Sequence, residues 1–246
     1  MTDERATSFG SQARSYEAGR PEYPFAAVAW MLETLPAGAS RVADVGAGTG
    51  KLTRALVGAP SAEIVAIDPD PAMLESLRVN VPGVPTFIGT AEQLPLPDAS
   101  LDAVVLGQAW HWVEPVAGSR EVGRVVRPGG TLGLIWNIRD ESVEWVTRLT
   151  EIMHASSAEE TLADGGPVVH APFGPLEESE WPWTRTMTRA QLHSMAASRS
   201  YVITASDEER TRIRREMNAL FDDLGIDAEG TIELPYVTRA FRATRL

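Results

Sequence analysis

Five short apolar runs between Arg41 and Trp136 alternate with segments of helical periodicity, and the first run enters a loop with glycine at every second position, DVGAGTGKLT (residues 44–53). Alternation of this kind specifies parallel strands joined by crossover helices, because a hairpin cannot join parallel neighbours. The runs are Arg41–Val45, Ile64–Ile67, Thr86–Ile88, Ala103–Leu106 and Thr131–Trp136. Between them the spacing predicts helices over Lys51–Val57, stopped at Gly58, over Pro71–Val79, and over a segment that ends with Arg120–Val126 before the turn at residues 127–130. A helix over residues 25–35, with Pro24 at its first turn, precedes them. The expected fold class is α/β, a doubly wound sheet.

The second half is less regular. Val143–His154 reads as a helix, and residues 156–175, rich in Gly, Pro and Ala, as a loop or insertion that could be a lid. Trp181–Met187 reads as a strand. Ser206 and Glu209 form a capping box, and the helix they open carries Ile213, Met217, Leu220, Phe221 and Leu224 on one face. Thr231–Ala243 reads as a last strand, broken at Pro235.

The glycine loop admits three chemistries. A phosphate-binding P-loop needs G-x-x-x-x-G-K-[ST]. Here Gly50-Lys51 ends the pattern, but Val45 stands where its first glycine belongs and Leu52 where its hydroxyl belongs. A dinucleotide fingerprint, G-x-G-x-x-G, matches Gly46 and Gly48 but puts Lys51 at the third glycine, where close helix–strand packing is needed. What remains is acidic-x-G-x-G-x-G, on Asp44, Gly46, Gly48 and Gly50. A tight strand-to-helix turn without a ligand stays open beside it. Asp68, at the tip of the second strand, is placed to accept ribose hydroxyls, a device common to several cofactors.

The whole chain narrows the partners. Its 246 residues can bury a sizeable core without staples, and with no cysteine it has no disulfide, thiolate metal site or cysteine nucleophile. The balance of 22 basic and 34 acidic residues gives a net charge of −12, which disfavours nucleic acid and anionic membranes. The N-terminus lacks the apolar core of a signal peptide, and no apolar run is long enough for a membrane span, which fits a cytoplasmic protein. The four histidines show no ligand spacing, so no metal is expected.

The acidic-x-G-x-G-x-G loop resembles the first motif of the class I S-adenosylmethionine-dependent methyltransferases. Three other stretches, residues 8–24 (SFGSQARSYEAGRPEYP), 107–115 (GQAWHWVEP) and 132–141 (LGLIWNIRDE), resemble the branch that contains trans-aconitate methyltransferase. ASRSY (197–201) and LPYVT (234–238) are similar to segments of actinobacterial small-molecule methyltransferases. The resemblance implies a single Rossmann-like domain with a seven-stranded sheet, mostly parallel with an antiparallel C-terminal strand. Within it, residues 1–24 would cap the cofactor, 25–139 form the cofactor-binding core, 140–205 set acceptor specificity, and 206–246 supply a C-terminal helix and strand.

The resemblance also implies roles. S-adenosylmethionine would be the cofactor and S-adenosylhomocysteine the product. Asp44 would help hold the methionyl ammonium, Gly46, Ala47 and Gly48 would let the backbone approach the cofactor, and backbone N–H groups at the helix start would receive its carboxylate. Asp68 would hold the ribose, and Pro69, Met73 and Thr90 extend the cofactor surface. Ala91 and Glu92 fall where this superfamily meets the adenine. Phe9, Tyr16 and Arg20 would close over the site, and Gln108, Ala109 and Trp110 would border the cofactor. The acceptor would be a small molecule methylated on a hydroxyl or carboxylate oxygen. For a hydroxyl, His111 is the candidate general base, the alternative being a histidine that only packs or positions the loop. For a carboxylate no base is needed, and an arginine fork such as Arg139 or Arg199 serves instead. Tyr23 and Trp112 are further acceptor-side candidates. A non-catalytic S-adenosylmethionine-binding protein and an NAD-dependent oxidoreductase are the competing readings.

Overall fold

The protein is described by a computed structural model, in which residues 21–35, 41–58, 63–199, 202 and 205–246 can be described. Seven strands form one sheet: β1 (Arg41–Val45), β2 (Glu63–Asp68), β3 (Thr86–Ile88), β4 (Leu101–Gly107), β5 (Val126–Arg139), β6 (Glu177–Thr188) and β7 (Thr231–Thr244). Their order is β3-β2-β1-β4-β5-β7-β6. The pairs among β1 to β5 are parallel, and β7 runs antiparallel to both its neighbours. This is the Rossmann-like sheet expected, antiparallel strand included. The order reverses between β1 and β4, so a crevice opens beyond their C-terminal ends.

The helices are α1 (Phe25–Leu32), α2 (Lys51–Val57), α3 (Pro71–Asn80), α4 (Pro115–Val125), α5 (Glu144–Met153), α6 (Ser157–Ala163), α7 (Arg189–Ala197) and α8 (Asp207–Asp223). Two begin with an acid-proline pair on the crevice side of the sheet. Asp70 accepts from Ala72 N at 2.9 Å, and Glu114 accepts from Val116 N and Ala117 N at 3.2 and 2.6 Å. Each carboxylate caps amides that have no partner within the helix, and the following proline has no N–H to satisfy.

Several boundaries differ from the sequence expectation. Strand β5 begins at Val126 and runs through the Pro-Gly-Gly segment expected as a turn. Residues 156–175 contain α6, started by a full capping box between Ser156 and Glu159. The expected break at Pro235 is absent, and β7 is continuous. The last residue of β7 paired with β5 on that side is Tyr236, opposite Arg139, so Pro235 lies one step beyond the ladder and its missing N–H leaves that ladder intact.

Besides the clusters that pack α1, α2 and α3 on the sheet, two packing centres stand out. One surrounds Trp136, Leu132, Leu134 and Leu106 on one face of β4 and β5. The other is built by α5, α7 and α8 against β6 and β7. There Ile213, Met217, Leu220 and Phe221 are buried beside Leu149, Met187 and Tyr236, and Leu224 packs at its edge. The amphipathic face of α8 is therefore the one its periodicity specified.

Candidate active site

The crevice at the ends of β1 and β4 is a cleft open to solvent. Asp44, the loop 46–49, Lys51, Gly107, Gln108 and Asn137 line it, and Pro21 and Tyr23 stand at its edge. The turn after β1 is tight because Gly46 and Gly48 both have positive φ, 68° and 55°. A Cβ on Gly46 would sit 2.7 Å from that of Ala109, whereas one on Gly48 would meet nothing within 4 Å. The first glycine thus lets the loop touch the tip of β4, and the second faces open space.

Four of the loop's amides are already committed. Gly46 N and Ala47 N donate to Ile67 O at 2.8 and 3.1 Å, and Gly50 N donates to Ala47 O at 2.9 Å. Gly48 N donates to Asp68 Oδ2 at 2.8 Å. These donors hold the loop to β2 and close its own turn, so they are distinct from the amides at the start of α2 that were expected to receive a ligand carboxylate. What the loop region offers is an acceptor. Asp44 is fully buried, and its Oδ2 accepts from Thr53 Oγ1 at 2.6 Å. Its Oδ1 is buried with no hydrogen-bond partner among the described residues. Burial, opposed by the Thr53 hydrogen bond and reinforced by the charge of Asp68, pushes the Asp44 carboxyl up to about 7. A buried carboxylate with an open lone pair suits a cation such as an ammonium, which would pair with it and restore its charged form.

Asp68 is buried as well. Its Oδ1 accepts from Asp70 N at 2.9 Å, so its two oxygens brace the turn after β2 and the glycine loop together. Burial pushes its carboxyl up to about 6 against those two backbone hydrogen bonds. Of the other expected cofactor positions, Met73 is buried in α3, Pro69 is half-buried and Thr90 is exposed in a small bridge with Gln93. Ala91 is buried, and Glu92 accepts from Glu114 N at 3.0 Å, tying this turn to the start of α4. Phe9, Tyr16 and Arg20 lie outside the described residues.

At the tip of β4, Gln108 adopts φ 56° and its side chain donates to Asn137 O at 2.8 Å. A short 3₁₀ helix, Trp110–Trp112, follows. Trp110 turns into the core and donates its indole N–H to Val168 O at 2.9 Å. His111 is half-buried, its ring centroid lies 4.8 Å from that of Trp112, and its Nδ1 lies 3.3 Å from the indole nitrogen of Trp136. Trp112 is exposed.

Beyond the end of β5 the two expected arginines meet, but around a carboxylate that the sequence reading did not single out. Arg139 NH2 is 3.0 Å and Arg199 NH2 3.9 Å from Glu159 Oε1. Arg139 Nε also donates to Thr150 Oγ1 at 3.3 Å. Burial works to raise the Glu159 carboxyl, yet the charges of Arg199 and Arg139 and two hydrogen bonds from Ser156 leave it below the usual range. The pattern S-x-x-E at residues 156–159 was the available signal for Glu159, since it marks a helix start. Asn137 was also missed. It donates to Glu22 O at 3.0 Å and accepts from Thr238 Oγ1 at 2.6 Å, so it joins the cleft floor to residue 22.

Among the described residues, no group of three or more His, Asp or Glu could hold a metal ion, and no helix is long and apolar enough to cross a membrane.

Comparison with known proteins agrees with this geometry. A family model described as a methyltransferase domain matches residues 43–134, from β1 into β5. An uncharacterized methyltransferase of Mycobacterium bovis is 44% identical over 243 residues, covering 96% of this chain and 95% of its own length. A methyltransferase-like protein of Schizosaccharomyces pombe is 32% identical over 250 residues, covering 97% and 95%. Among solved structures, a putative type II methyltransferase from Anaeromyxobacter dehalogenans superposes with a TM-score of 0.58 at 24% identity, over 92% of this chain and 97% of that one. Similarity along nearly the whole chain, on top of the glycine turn and the buried acid at the end of β1, means that the chain belongs to the S-adenosylmethionine-dependent methyltransferases.

Proposed function

We propose that this enzyme methylates an oxygen of a small-molecule acceptor, and that the acceptor oxygen belongs to a carboxylate. S-adenosylmethionine supplies a methyl on a sulfonium; transfer makes a methyl–oxygen bond, and the electron pair of the broken methyl–sulfur bond stays on sulfur. The residues present fit that cofactor. Asp44 Oδ1 is a buried acceptor awaiting a cation, and Gly48 opens onto empty space. In this reading Asp44 and the loop carbonyls take the ammonium, and Asp68 keeps the loop and the turn after β2 in register at the ribose side. Gln108 and Asn137 floor the cleft, and Pro21 and Tyr23 close its edge.

The observation that carries the acceptor class is charge. Two buried guanidinium groups share one carboxylate, Glu159, and one of them, Arg139, stands two residues along β5 from the cleft residue Asn137. Within the cluster Arg199 Nε is buried with no hydrogen-bond partner among the described residues, and an acceptor carboxylate would supply one. A carboxylate is already an anion at neutral pH and loses no proton on methylation, so positioning is the main task left to the protein. Residues 140–205, which contribute Thr150, Glu159 and Arg199, are then the specificity region. His111 and Trp112 border the acceptor from the tip of β4. A hydroxyl acceptor is the second reading, with His111 as base.

A labelled-methyl screen over carboxylic acids, phenols and sugars tests this. Turnover is expected with carboxylic acids and should be lost on Arg199→Met with cofactor affinity unchanged. Turnover confined to phenols or sugars would sink the carboxylate reading.

A further inference from the structure

Side chains on β6, β7 and β5 form a hydrogen-bonded row that ends at the cleft. Trp183 on β6 donates its indole N–H to Thr238 Oγ1 at 2.8 Å, Thr238 on β7 donates to Asn137 Oδ1 at 2.6 Å, and Asn137 on β5 donates to Glu22 O at 3.0 Å. The two ends fix the direction of the row. An indole nitrogen can only donate, and a backbone carbonyl can only accept. With its oxygen accepting from Trp183, Thr238 has one hydroxyl hydrogen to give, and it goes to Asn137. The Asn137 oxygen therefore faces Thr238, and its NH2 group faces Glu22. Thr238 is completely buried and Asn137 is buried. Trp183 is seated by a stack on Tyr236, with centroids 4.8 Å apart and planes at 12°, and the Tyr236 hydroxyl donates to Met195 Sδ at 3.3 Å.

We infer that Thr238 and Trp183 are positioning residues for the cofactor: they hold the Asn137 amide in the orientation that anchors residue 22, and so fix one wall of the cleft from the antiparallel half of the sheet. The inference rests on the reading that this cleft takes S-adenosylmethionine. Asn137 lines the cleft, whereas Thr238 and Trp183 do not. Its main-chain carbonyl accepts from Gln108 Nε2 at 2.8 Å, so its backbone and its side chain are both fixed. On either side of Glu22, Pro21 and Tyr23 stand at the cleft's edge, and Tyr23 approaches the end of β4 so closely that a Cβ on Gly107 would lie 2.7 Å from its hydroxyl. Were the Asn137 amide turned over, its oxygen would face Glu22 O, two acceptors with no hydrogen between them, and the anchor of segment 21–24 would be lost. The sheet register makes the row possible. Thr238 stands opposite Asn137 on one side and Trp181 on the other, and Trp183, two residues along β6 from Trp181, reaches back to it. The segment LPYVT (234–238) thereby gains a task, with Tyr236 seating Trp183 and Thr238 orienting Asn137.

The test is calorimetry with S-adenosylhomocysteine on the full-length protein. Thr238→Val keeps the shape and removes the hydroxyl, and should weaken binding about 5- to 10-fold, the scale of one hydrogen bond. Thr238→Ser keeps the hydroxyl and should bind within about twofold of wild type. A residue that only packs would give the opposite order, because serine loses the methyl group that valine retains. On an Asn137→Ala background Thr238→Val should cost nothing further, since its effect passes through Asn137. Wild-type affinity in Thr238→Val, serine binding no better than valine, or an undiminished loss on the Asn137→Ala background overturns the inference. Should Thr238→Val fail to fold, Trp183→Phe decides, because it keeps the stack on Tyr236 and removes the N–H. It should weaken binding about 2- to 4-fold, and unchanged affinity overturns the inference. Asp44→Asn measured alongside separates the two readings. If it leaves affinity unchanged, the cleft is not the cofactor site and the inference falls with that reading. If it weakens binding while Thr238→Val does not, the positioning roles fall and the cleft stands as the cofactor site.

Discussion

At the end of β1 a carboxylate is buried with one oxygen lacking a partner, whereas at the end of β5 a carboxylate is buried between two guanidinium groups. Both lie on the same edge of one sheet. Burial works to raise both carboxyls, but Asp44 ends near 7 and Glu159 below its usual value, because only Glu159 has cations beside it. The first arrangement is complete only when a ligand cation arrives. The second already has its own counter-charges, and what it leaves for a ligand is the buried Arg199 Nε, which has no hydrogen-bond partner among the described residues. A cofactor common to a whole family suits the first, and an acceptor selected by one enzyme suits the second.

The contrast has opposite signs in pH. The folded chain keeps a proton on Asp44 up to about pH 7 that the unfolded chain releases near 3.8, so the stability this site contributes is present below that lower value and lost as pH rises toward 7. Glu159 is the reverse: its contribution is present above its ordinary value and is lost as pH falls through its lowered one.

The largest effect is expected from breaking the closed cluster. Glu159→Gln leaves two buried guanidinium groups without their shared counter-charge, and unfolding free energy should fall by about 3–5 kcal/mol. Denaturant melts at neutral pH measure it, and the deficit should shrink toward acid, where the wild-type carboxylate is itself protonated. A loss below about 1 kcal/mol would mean that the cluster is solvated like a surface pair, and the contrast with Asp44 would disappear.

Breaking the open site should act on binding instead. Asp44→Asn keeps the shape and removes the charge, so S-adenosylmethionine affinity by calorimetry should fall about 10- to 150-fold, the range for one charged hydrogen bond. The same variant should be more stable than wild type at pH 8, by up to about 4 kcal/mol, because no buried carboxylate must then be ionised. Weaker binding together with a firmer fold is the signature of a group kept for its ligand. A variant less stable at pH 8 would show that the ionised Asp44 has a protein partner after all.

How much of this was legible in the sequence follows the same division. Asp44, Gly46, Gly48 and Asp68 lie within or just after single strands, and the β-α alternation places them at one edge, so local spacing was enough. The direction of the loop's hydrogen bonds was not legible, because the acceptor of Gly46 N, Ile67 O, belongs to the neighbouring strand. Arg139 and Arg199 could be named as candidates from charge alone, but their meeting at Glu159 joins β5, α6 and the end of α7, and no local pattern encodes that. The continuity of β7 through Pro235 was equally hidden, since a proline's cost depends on which neighbour faces its nitrogen.

The rim of the cleft offers the smallest effect and the finest test of the comparison. Glu22 Oε1 accepts from Lys51 Nζ at 3.1 Å and from Arg54 NH1 at 2.7 Å, while its carbonyl accepts from Asn137. These contacts tie residue 22 to the helix that follows the glycine loop and give the chain's single lysine a part beyond opening that helix. The Glu22 side chain is 54% exposed, so its ion pairs are screened by water and salt. Glu22→Gln should change stability by less than about 1 kcal/mol. Because the Asn137 bond to the backbone remains, cofactor affinity should weaken only about 2- to 5-fold at low salt, within the free-energy range of exposed ion pairs, and converge on wild type as salt is raised. A salt-independent loss as large as that of Asp44→Asn would place the rim on the same footing as the buried acid, with segment 21–24 an essential wall of the binding site.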